Sequence, residues 1–180
     1  MIILVGASAS GKTEVAKLLG RKYLIRKVVT HTTRAMRQNE VNDVDYHFVD
    51  VATFIELKND GAFVETTIYN GNYYGTSKKE ISDDSVLIVD PNGLKSFQDL
   101  HDPRIVTFYM FASEKTRLSR MRERGDSEEK AQSRIHDDRV CFNLEYINKP
   151  DYEIDCEVAS IEEVTSQVYQ QYRAHLNSLS

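Results

Sequence analysis

One stretch near the start of the chain constrains its fold more than any other. It reads Gly6-Ala7-Ser8-Ala9-Ser10-Gly11-Lys12-Thr13 and matches G-x-x-x-x-G-K-[ST], the pattern of a phosphate-binding loop (P-loop). The apolar run Ile2-Ile3-Leu4-Val5 before it is typical of a strand buried on both faces of a parallel sheet. Val15, Leu18 and Leu19 after it recur at helical spacing. The sequence therefore predicts a strand, a phosphate-binding loop and a helix, in that order.

The chemistry of this loop follows from its predicted geometry. Gly6 and Gly11 allow sharp turns and a close approach of the backbone to an anion. The loop N–H groups and the helix N-terminus would then point at that anion together. Lys12 can reach the β and γ phosphates, and the Thr13 hydroxyl can bind Mg2+. The pattern predicts a nucleotide-phosphate site without specifying which phosphate chemistry follows.

The composition is that of an ordinary globular protein. Of 180 residues, 41% are hydrophobic and 28% are charged, which suits one domain with a sizeable core. The formal net charge of −5 argues against binding to nucleic acid or to an anionic membrane. Cys141 and Cys156 lack metal-ligand spacing, and the sequence shows no signal peptide and no apolar run of bilayer length. We therefore expect a cytoplasmic protein without nucleic-acid or membrane partners.

Predicted strands and helices alternate along most of the chain. Further strands are expected over residues 25–30, 85–89, 104–111 and around 152–154. Such alternation predicts a parallel sheet covered by helices on both sides. Asp90 follows one of these strands, at the position where P-loop proteins carry an acidic residue that holds Mg2+. Ser160 and Glu163 have the spacing of a capping box and predict the start of a C-terminal helix.

Residues 30–76 depart from this alternation and predict an inserted β subdomain beside the loop. Asn70-Gly71 between two β-prone runs predicts a hairpin with a type I′ turn. That hairpin would place Glu65 on its outgoing strand and Thr76 on its return strand. A surface hairpin with an incidental charge is the alternative.

Two groups of arginines could pair with phosphate oxygens. Arg34 and Arg37 lie among hydroxyl residues, although this segment taken alone favours a solvated basic loop over an oxyanion site. From residue 113 onward the sequence predicts two charged helices broken at Gly125, the second starting with a capping box at Asp126. Such a helix pair could be a mobile lid, with a solvated helix face as the alternative.

Four stretches together resemble the guanylate kinase family. They are the P-loop; Thr30-His31-Thr32-Thr33-Arg34 with Arg37 and Glu40-Val41; Asp45-Tyr46-His47-Phe48-Val49; and Glu65 followed by Gly71-Asn72-Tyr73-Tyr74-Gly75-Thr76. They occur in order over most of the chain, and the Thr-Thr-Arg segment and the Gly-Asn-Tyr-Tyr-Gly hairpin are specific to that family.

The resemblance implies an α/β fold in three parts within one guanylate kinase-like domain. These are a three-layer P-loop core with a parallel sheet (residues 1–29, 77–112 and 150–180), an inserted mixed β GMP-binding subdomain (30–76) and a helical lid (113–149). The implied reaction transfers the γ-phosphoryl group of ATP to GMP, with dGMP as a further candidate acceptor, and uses Mg2+. The sequence does not distinguish a monomer from a homodimer.

The resemblance also implies roles for individual residues. Ligands of the GMP phosphate would be Arg34, Arg37, Tyr46 and Tyr74. Ligands of guanine would be Thr30, Glu65, Thr76 and Asp90. ATP would lie on the P-loop, Lys12 would bridge the transferring phosphate, and Arg124 and Arg134 would close over it. Mg2+ would be held by Thr13, with Asp90 as a second candidate. The Glu65 carboxylate could accept hydrogen bonds from both N1–H and the 2-amino group of guanine, a donor pair that adenine lacks.

Departures from the family pattern, including Ile88 where a second Asp is common and a lid turn at Gly125-Asp126 about one residue short, accompany the resemblance, as do two alternative functions. Ala9 stands where the family usually has a glycine, and Cys156 replaces a common asparagine near the adenine side. One alternative is a related P-loop kinase with another small phosphate acceptor, against which Glu65 argues. The other is a non-catalytic module that binds a phosphorylated peptide, against which Lys12 and Thr13 argue.

Overall fold

The fold is that of a computed structural model, which describes residues 1–36, 38, 40–69, 71–142 and 148–179. The strands are β1 (Ile2–Val5), β2 (Arg26–Lys27), β3 (His31–Thr32), β4 (His47–Phe48), β5 (Phe63–Tyr69), β6 (Asn72–Ser77), β7 (Ser85–Ile88), β8 (Val106–Phe111) and β9 (Tyr152–Asp155). The helices are α1 (Lys12–Tyr23), α2 (Val51–Asn59), α3 (Pro91–Gln98), α4 (Glu114–Glu123), α5 (Glu128–Cys141) and α6 (Ile161–Ser178), with a short 3-10 helix at Lys78–Glu80.

A five-stranded sheet in the order β2-β7-β1-β8-β9 forms the core, and every pairing in it is parallel. The side chains of β1 alternate between its two faces, as those of any strand do. Ile2 and Leu4 pack in one apolar cluster with residues of α1 and α6, whereas Ile3 and Val5 pack in another with residues of α3. Helices thus cover both faces of the sheet, which confirms the predicted three-layer α/β core.

A second sheet of four strands, in the order β4-β3-β6-β5, occupies the segment predicted as a β subdomain. It is mixed, because β3 and β4 run parallel while β6 is antiparallel to both β3 and β5. The β5–β6 pairing confirms the predicted hairpin and sets Glu65 opposite Thr76. Gly71 has a φ of 74°, the positive value that a type I′ turn requires. Asn70, the other residue of the predicted turn, lies outside the described residues.

The charged helices α4 and α5 occupy the segment predicted as a lid. They are separated at Gly125, which has a φ of 89°, as predicted. The predicted start of the second helix at Asp126 is wrong, since Ser127 is the N-cap and its Oγ accepts a hydrogen bond from the Lys130 N–H at 3.3 Å. The Asp126 carboxylate is bound instead by the guanidinium of Arg124. The division of the chain into core, subdomain and lid stays a prediction.

The C-terminal helix α6 begins as predicted. Ser160 accepts a hydrogen bond from the backbone of Glu163, and the Glu163 side chain accepts one from the backbone of Ser160, so the capping box is complete. Within the described part of the chain, no helix combines the length and apolar character needed to cross a membrane.

Candidate active site

Two cavities open at the carboxyl-terminal edge of the parallel sheet, the edge at which α/β proteins of this kind bind ligands. The P-loop follows β1 and Asp90 follows the neighbouring strand β7, in a register that pairs Leu4 with Ile88. One cavity, of about 570 Å³, lies over the P-loop and α1 and is called the loop cavity below. The other, of about 540 Å³, lies between the mixed sheet and the end of β7 and is called the subdomain cavity.

The P-loop turns where its glycines permit. Gly6 has a φ of 149°, and a Cβ atom there would lie 2.2 Å from the carbonyl oxygen of Met110, so only glycine fits. Gly11, with a φ of 106°, is the N-cap of α1. Residues 9–13 of the loop line the loop cavity, and Thr13 is exposed there in the first turn of the helix. Anion-binding N–H groups at this helix start therefore face open space.

Lys12 folds back along the loop and is held by three oxygen atoms. Its Nζ donates to the carbonyl oxygens of Gly6 at 2.6 Å and Ala7 at 2.7 Å, and to Oγ of Ser10 at 3.3 Å. Burial lowers the pKa of Lys12 to about 8, although the negative charge of Asp138 opposes this shift. The ammonium group is therefore still predominantly charged at neutral pH, in the cavity where it could meet phosphate oxygens.

Arg124 and Arg134 meet at a shared carboxylate. Arg124 Nε donates to Oδ2 of Asp126 at 2.8 Å, and Arg134 Nη1 lies 3.7 Å from the same oxygen. Both guanidinium groups are partly exposed, and Arg124 lines the loop cavity. The structure thus brings the two arginines named by the resemblance together on one acidic side chain.

Three residues of α4 and α5 contact the P-loop directly and had no sequence signal. Arg120 donates to the carbonyl oxygens of Ala9 at 3.3 Å and Cys156 at 2.6 Å. Arg117 and Asp138 form a buried ion pair against Ser8. In the sequence, these residues are ordinary members of charged helices, and only the packing of α4 and α5 on the loop distinguishes them.

The subdomain cavity contains the half-buried carboxylate of Glu65. Oε1 of Glu65 accepts a hydrogen bond from Thr76 Oγ1 at 2.7 Å. Burial raises the pKa of Glu65, the charge of Asp90 raises it further, and the hydrogen bond from Thr76 acts in the opposite direction. The residues predicted for guanine and its phosphate that line this cavity are Thr30, Arg34, Tyr46, Glu65, Tyr74, Thr76 and Asp90. Arg37, predicted with them, lies outside the described residues.

Arg34 stands at the other side of this cavity. Its Nη2 donates to Oε1 of Glu40 at 2.6 Å, and its guanidinium lies 5.4 Å from the ring centre of Tyr46. The rings of Tyr46 and Tyr74 are in edge contact, with centroids 6.1 Å apart. A guanidinium and two phenol groups therefore gather at one wall, a set of donors suited to an oxyanion.

Asp90 caps a helix that sequence reasoning missed. Its Oδ1 accepts a hydrogen bond from the Gly93 N–H at 2.8 Å, and Pro91 occupies the first position of α3. Asp followed by Pro is an N-terminal helix signal that could have predicted this element. Among the described residues, no three His, Cys, Asp or Glu side chains are placed to hold a metal ion.

A family model described as guanylate kinase matches residues 1–171 of the chain. The chain belongs to the guanylate kinase family. It is 36% identical over 132 residues to a guanylate kinase of Chromohalobacter salexigens, a match that covers 69% of this chain and 61% of that protein. It is 35% identical over 117 residues to a guanylate kinase of Methylobacillus flagellatus, covering 61% of this chain and 58% of that protein. The match thus spans about three fifths of the length of these two relatives.

Longer matches to guanylate kinases also exist. A relative from Pseudomonas savastanoi is 30% identical over 168 residues, which cover 84% of this chain and 78% of the relative. The crystal structure of guanylate kinase from Anaplasma phagocytophilum superposes with a TM-score of 0.63 at 26% identity and covers 97% of this chain and 84% of that one. The guanylate kinase resemblance of the four sequence stretches is therefore confirmed, together with the α/β fold.

Ala9, the departure from the guanylate kinase loop pattern, adopts a φ of 60°. This left-handed conformation costs a residue with a Cβ about 1–2 kcal/mol, whereas glycine adopts it freely. We expect Ala9→Gly to raise the free energy of unfolding by about 0.5–1 kcal/mol, since the strain relieved exceeds the cost of about 0.4–1 kcal/mol from the more flexible unfolded chain. Urea unfolding monitored by circular dichroism measures this difference.

Leu24 provides the matched control for this substitution. It has nearly the same φ, 59°, and is 82% exposed after the end of α1, away from the loop. Leu24→Gly is expected to raise stability to a similar extent. An Ala9→Gly variant that is less stable than the wild type, beside a stabilised Leu24→Gly variant, would show that the Ala9 methyl group contributes more by packing than its conformation costs.

Proposed function

We propose that this chain catalyses the ATP-dependent phosphorylation of GMP, producing ADP and GDP. The observation that carries the proposal is the pairing of two cavities at one sheet edge. One cavity contains the P-loop with Lys12, and the other contains the half-buried carboxylate of Glu65 beside Thr76. Membership of the guanylate kinase family supports the same reaction.

The loop cavity would hold ATP. The N–H groups of the P-loop and the start of α1 would bind the phosphates, and Lys12 would leave its three loop oxygens to contact the β and γ phosphates. Arg120 and Cys156 are among the residues that line the remainder of the cavity, where the adenosine would lie. Burial raises the pKa of the Cys156 thiol to about 11, so the wall it contributes is uncharged at neutral pH.

The donor set fits a magnesium ion that arrives with ATP. Mg2+ usually binds to one or two protein ligands together with substrate phosphates, and a P-loop hydroxyl is a typical ligand. Thr13 is exposed in the first turn of α1, and Asp90 follows the neighbouring strand β7. We assign Thr13 as the ligand, with Asp90 as a candidate whose Oδ1 already caps α3. When bound, the ion would neutralise negative charge on the β and γ phosphates.

The subdomain cavity would hold GMP. Glu65 would accept hydrogen bonds from N1–H and the 2-amino group of guanine, while Thr76, Thr30 and Asp90 would complete the base contacts. Desolvation of the carboxylate makes this pairing selective, because a base without the donor pair would leave a buried acceptor unsatisfied. This side chain argues against acceptors that have no base.

The phosphate of GMP would lie at the wall formed by Arg34, Tyr46 and Tyr74. Arg34 is paired with Glu40 at 2.6 Å, and its remaining N–H groups could still donate to a phosphate. Arg37 is proposed as a further ligand on the strength of the resemblance alone. This placement would put the acceptor oxygen at the same sheet edge as the P-loop.

Transfer would then depend on positioning and on charge neutralisation. Phosphoryl transfer needs little covalent help from a protein, so binding both substrates in line is the main requirement. Lys12 would follow the transferring phosphate, and Arg124 and Arg134 would turn from Asp126 to the phosphate oxygens. Because these arginines already have an acidic partner, they remain compensated until the nucleotides are bound.

The direct test is ADP production from ATP and Mg2+ with GMP, dGMP, AMP, UMP, CMP or no acceptor in parallel reactions. We expect turnover with GMP to exceed that with AMP, UMP and CMP by at least about 100-fold, because only guanine satisfies Glu65. ATP binding without GMP-dependent ADP production would overturn the proposal. It would direct attention to other phosphate acceptors or to phosphopeptides.

A further inference from the structure

A buried ion pair connects two helices to the P-loop. Arg117 on α4 and Asp138 on α5 are 5% and 7% exposed, and Nη1 of the arginine lies 2.6 Å from Oδ2 of the aspartate. Removing two such charges from water is costly, and the cost is offset only when their hydrogen bonds are satisfied. The position of this pair therefore needs an explanation beyond the joining of two helices.

Both members of the pair bind Ser8, the third residue of the P-loop. The Ser8 N–H donates to Asp138 Oδ2 at 2.9 Å, and Ser8 Oγ donates to Asp138 Oδ1 at 3.2 Å. The Ser8 carbonyl oxygen accepts from Arg117 Nη1 at 3.3 Å. Every polar atom of Ser8 thus forms a hydrogen bond with Arg117 or Asp138. The side chains of α4 and α5 therefore set the orientation of the peptide units on both sides of Ser8.

The next residue of the loop depends on this anchoring. Ala9 has a φ of 60° without being a glycine, and such strained backbone persists only where the surroundings impose it. Hydrogen bonds on both sides of Ser8, together with the bond from Arg120 to the Ala9 carbonyl oxygen, impose that conformation. The loop therefore receives its shape partly from α4 and α5.

The charges of the pair suit a phosphate site. An unpaired aspartate next to the loop would repel the phosphates of a nucleotide. Arg117 neutralises Asp138 at contact distance, so the loop is anchored without a net negative charge. An arginine–aspartate pair can thus shape an anion site that an aspartate alone would impair.

We propose that Arg117 and Asp138 are positioning residues for the phosphoryl donor, which hold Ser8 and Ala9 in the shape that receives the phosphates of ATP. The proposal rests on the ATP site proposed above. The proposal concerns the loop cavity only, so GMP binding in the subdomain cavity is expected to be independent of the Arg117–Asp138 pair.

A second ion pair between the same helices provides a matched control. Arg139 on α5 donates to Glu114 on α4 at 2.6 and 2.7 Å, but Arg139 is exposed, Glu114 is partly exposed, and no hydrogen bond among the described residues joins either side chain to the loop. Arg139→Gln removes a link between α4 and α5 without changing the P-loop. If the buried pair only joined the helices, removing either pair would change the free energy of unfolding, by different amounts, and would leave the affinity for ATP unchanged.

The test compares wild type, Arg117→Met/Asp138→Leu and Arg139→Gln. Replacing both charges avoids an unpaired buried ion, so the double variant is expected to fold. We expect the Kd for ATP with Mg2+, measured by calorimetry without acceptor, to rise about 10- to 100-fold in the double variant, since misplaced site groups have effects of this size. The Kd for GMP should change less than about twofold in both variants, and Arg139→Gln should bind ATP like the wild type.

An Arg117→Gln/Asp138→Asn variant keeps the test decisive if Arg117→Met/Asp138→Leu does not fold, because it also removes both charges but keeps a polar amide at each position. The amide oxygen that replaces the Asp138 carboxylate can still accept one hydrogen bond from Ser8, so we expect a smaller loss of ATP affinity, about threefold to tenfold, with unchanged GMP affinity. ATP affinity equal to that of the wild type in a folded variant would overturn the proposal. Because the binding measurements need no turnover, a wild-type protein that binds ATP but does not phosphorylate GMP would contradict the proposed reaction and leave this proposal testable.

Discussion

Replacing Glu65 with glutamine is expected to remove nearly all turnover with GMP and to make the folded protein more stable at neutral pH. The amide has a donor where guanine also presents donors, so at least one hydrogen bond to the base is lost and a repulsive contact replaces it. We expect kcat/KM for GMP to fall on the order of 1,000-fold, as in sites built to pair a polar group of the substrate. Glutamine can still accept the hydrogen bond that Thr76 donates to this position.

The stability change follows from the raised pKa of Glu65. Because burial raises the pKa in the folded state above its unfolded value, the charged carboxylate destabilises the fold. The contribution of Glu65 to the free energy of unfolding is complete at pH values below the pKa of Glu65 in the unfolded chain. It is lost as the pH rises through the higher pKa of Glu65 in the folded protein. Glu65→Gln should therefore exceed the wild type in free energy of unfolding at pH 7, and the difference should close as the pH falls to the ordinary glutamate value of about 4.3.

Steady-state kinetics and urea unfolding at pH 7 and pH 4 measure both effects. Glu56→Gln is the matched control, because it makes the same substitution at an exposed position on α2 in the same part of the chain. It should change neither kcat/KM for GMP nor stability appreciably. A Glu65→Gln enzyme with wild-type kcat/KM for GMP would show that another group recognises the base.

Replacing Lys12 with methionine is expected to lower kcat on the order of 100- to 1,000-fold, the usual effect of losing one charge-stabilising group at a reacting centre. The effect should lie in the chemical step and in ATP affinity, because Lys12 lies in the loop cavity and GMP would bind in the other one. Stability should change less than activity. The ammonium group has a pKa lowered to about 8 by burial, so removing it also removes the cost of burying a charge.

Lys22→Met provides the control for this result. Lys22 lies in the last turn of the same helix and is exposed. Its kcat should equal that of the wild type, and GMP affinity measured by calorimetry should be unchanged in both variants. If Lys12→Met retained more than about a tenth of wild-type kcat, the assignment of Lys12 to the transferring phosphate would be wrong.

Features of the site that depend on local sequence were predictable. The P-loop could be predicted because its glycines set the backbone conformation of the loop. The spacing of apolar residues before and after it identifies a strand and a helix. The β5–β6 hairpin and the capping box of α6 were predictable for the same reason. In each case the residues that determine the structure are within a few positions of one another, so the pattern is complete in the sequence.

Contacts between distant segments were not predictable in the same way. Ser8 and Asp138 are 130 positions apart, and Ser8 and Arg117 are 109 apart. The helices that carry Arg117 and Asp138 are charged on most of their surface, so the spacing of their apolar residues does not show which charges are buried. The start of α5 was misplaced for a related reason, since Asp126 has the residue type of an N-cap but is bound by Arg124.

The sequence by itself determined the family and the α/β core, and it predicted the P-loop of one cavity and the Glu65–Thr76 hairpin of the other, because motifs with fixed spacing carry that information. Only the tertiary structure decided which charged side chains of α4 and α5 hold the P-loop, that Arg34 is paired with Glu40, and that Asp90 caps α3. The physical reason is that burial and pairing of a charge depend on the neighbours that packing supplies. A charged residue carries the same local signal whether it is solvated at the surface or anchors the loop of a nucleotide site.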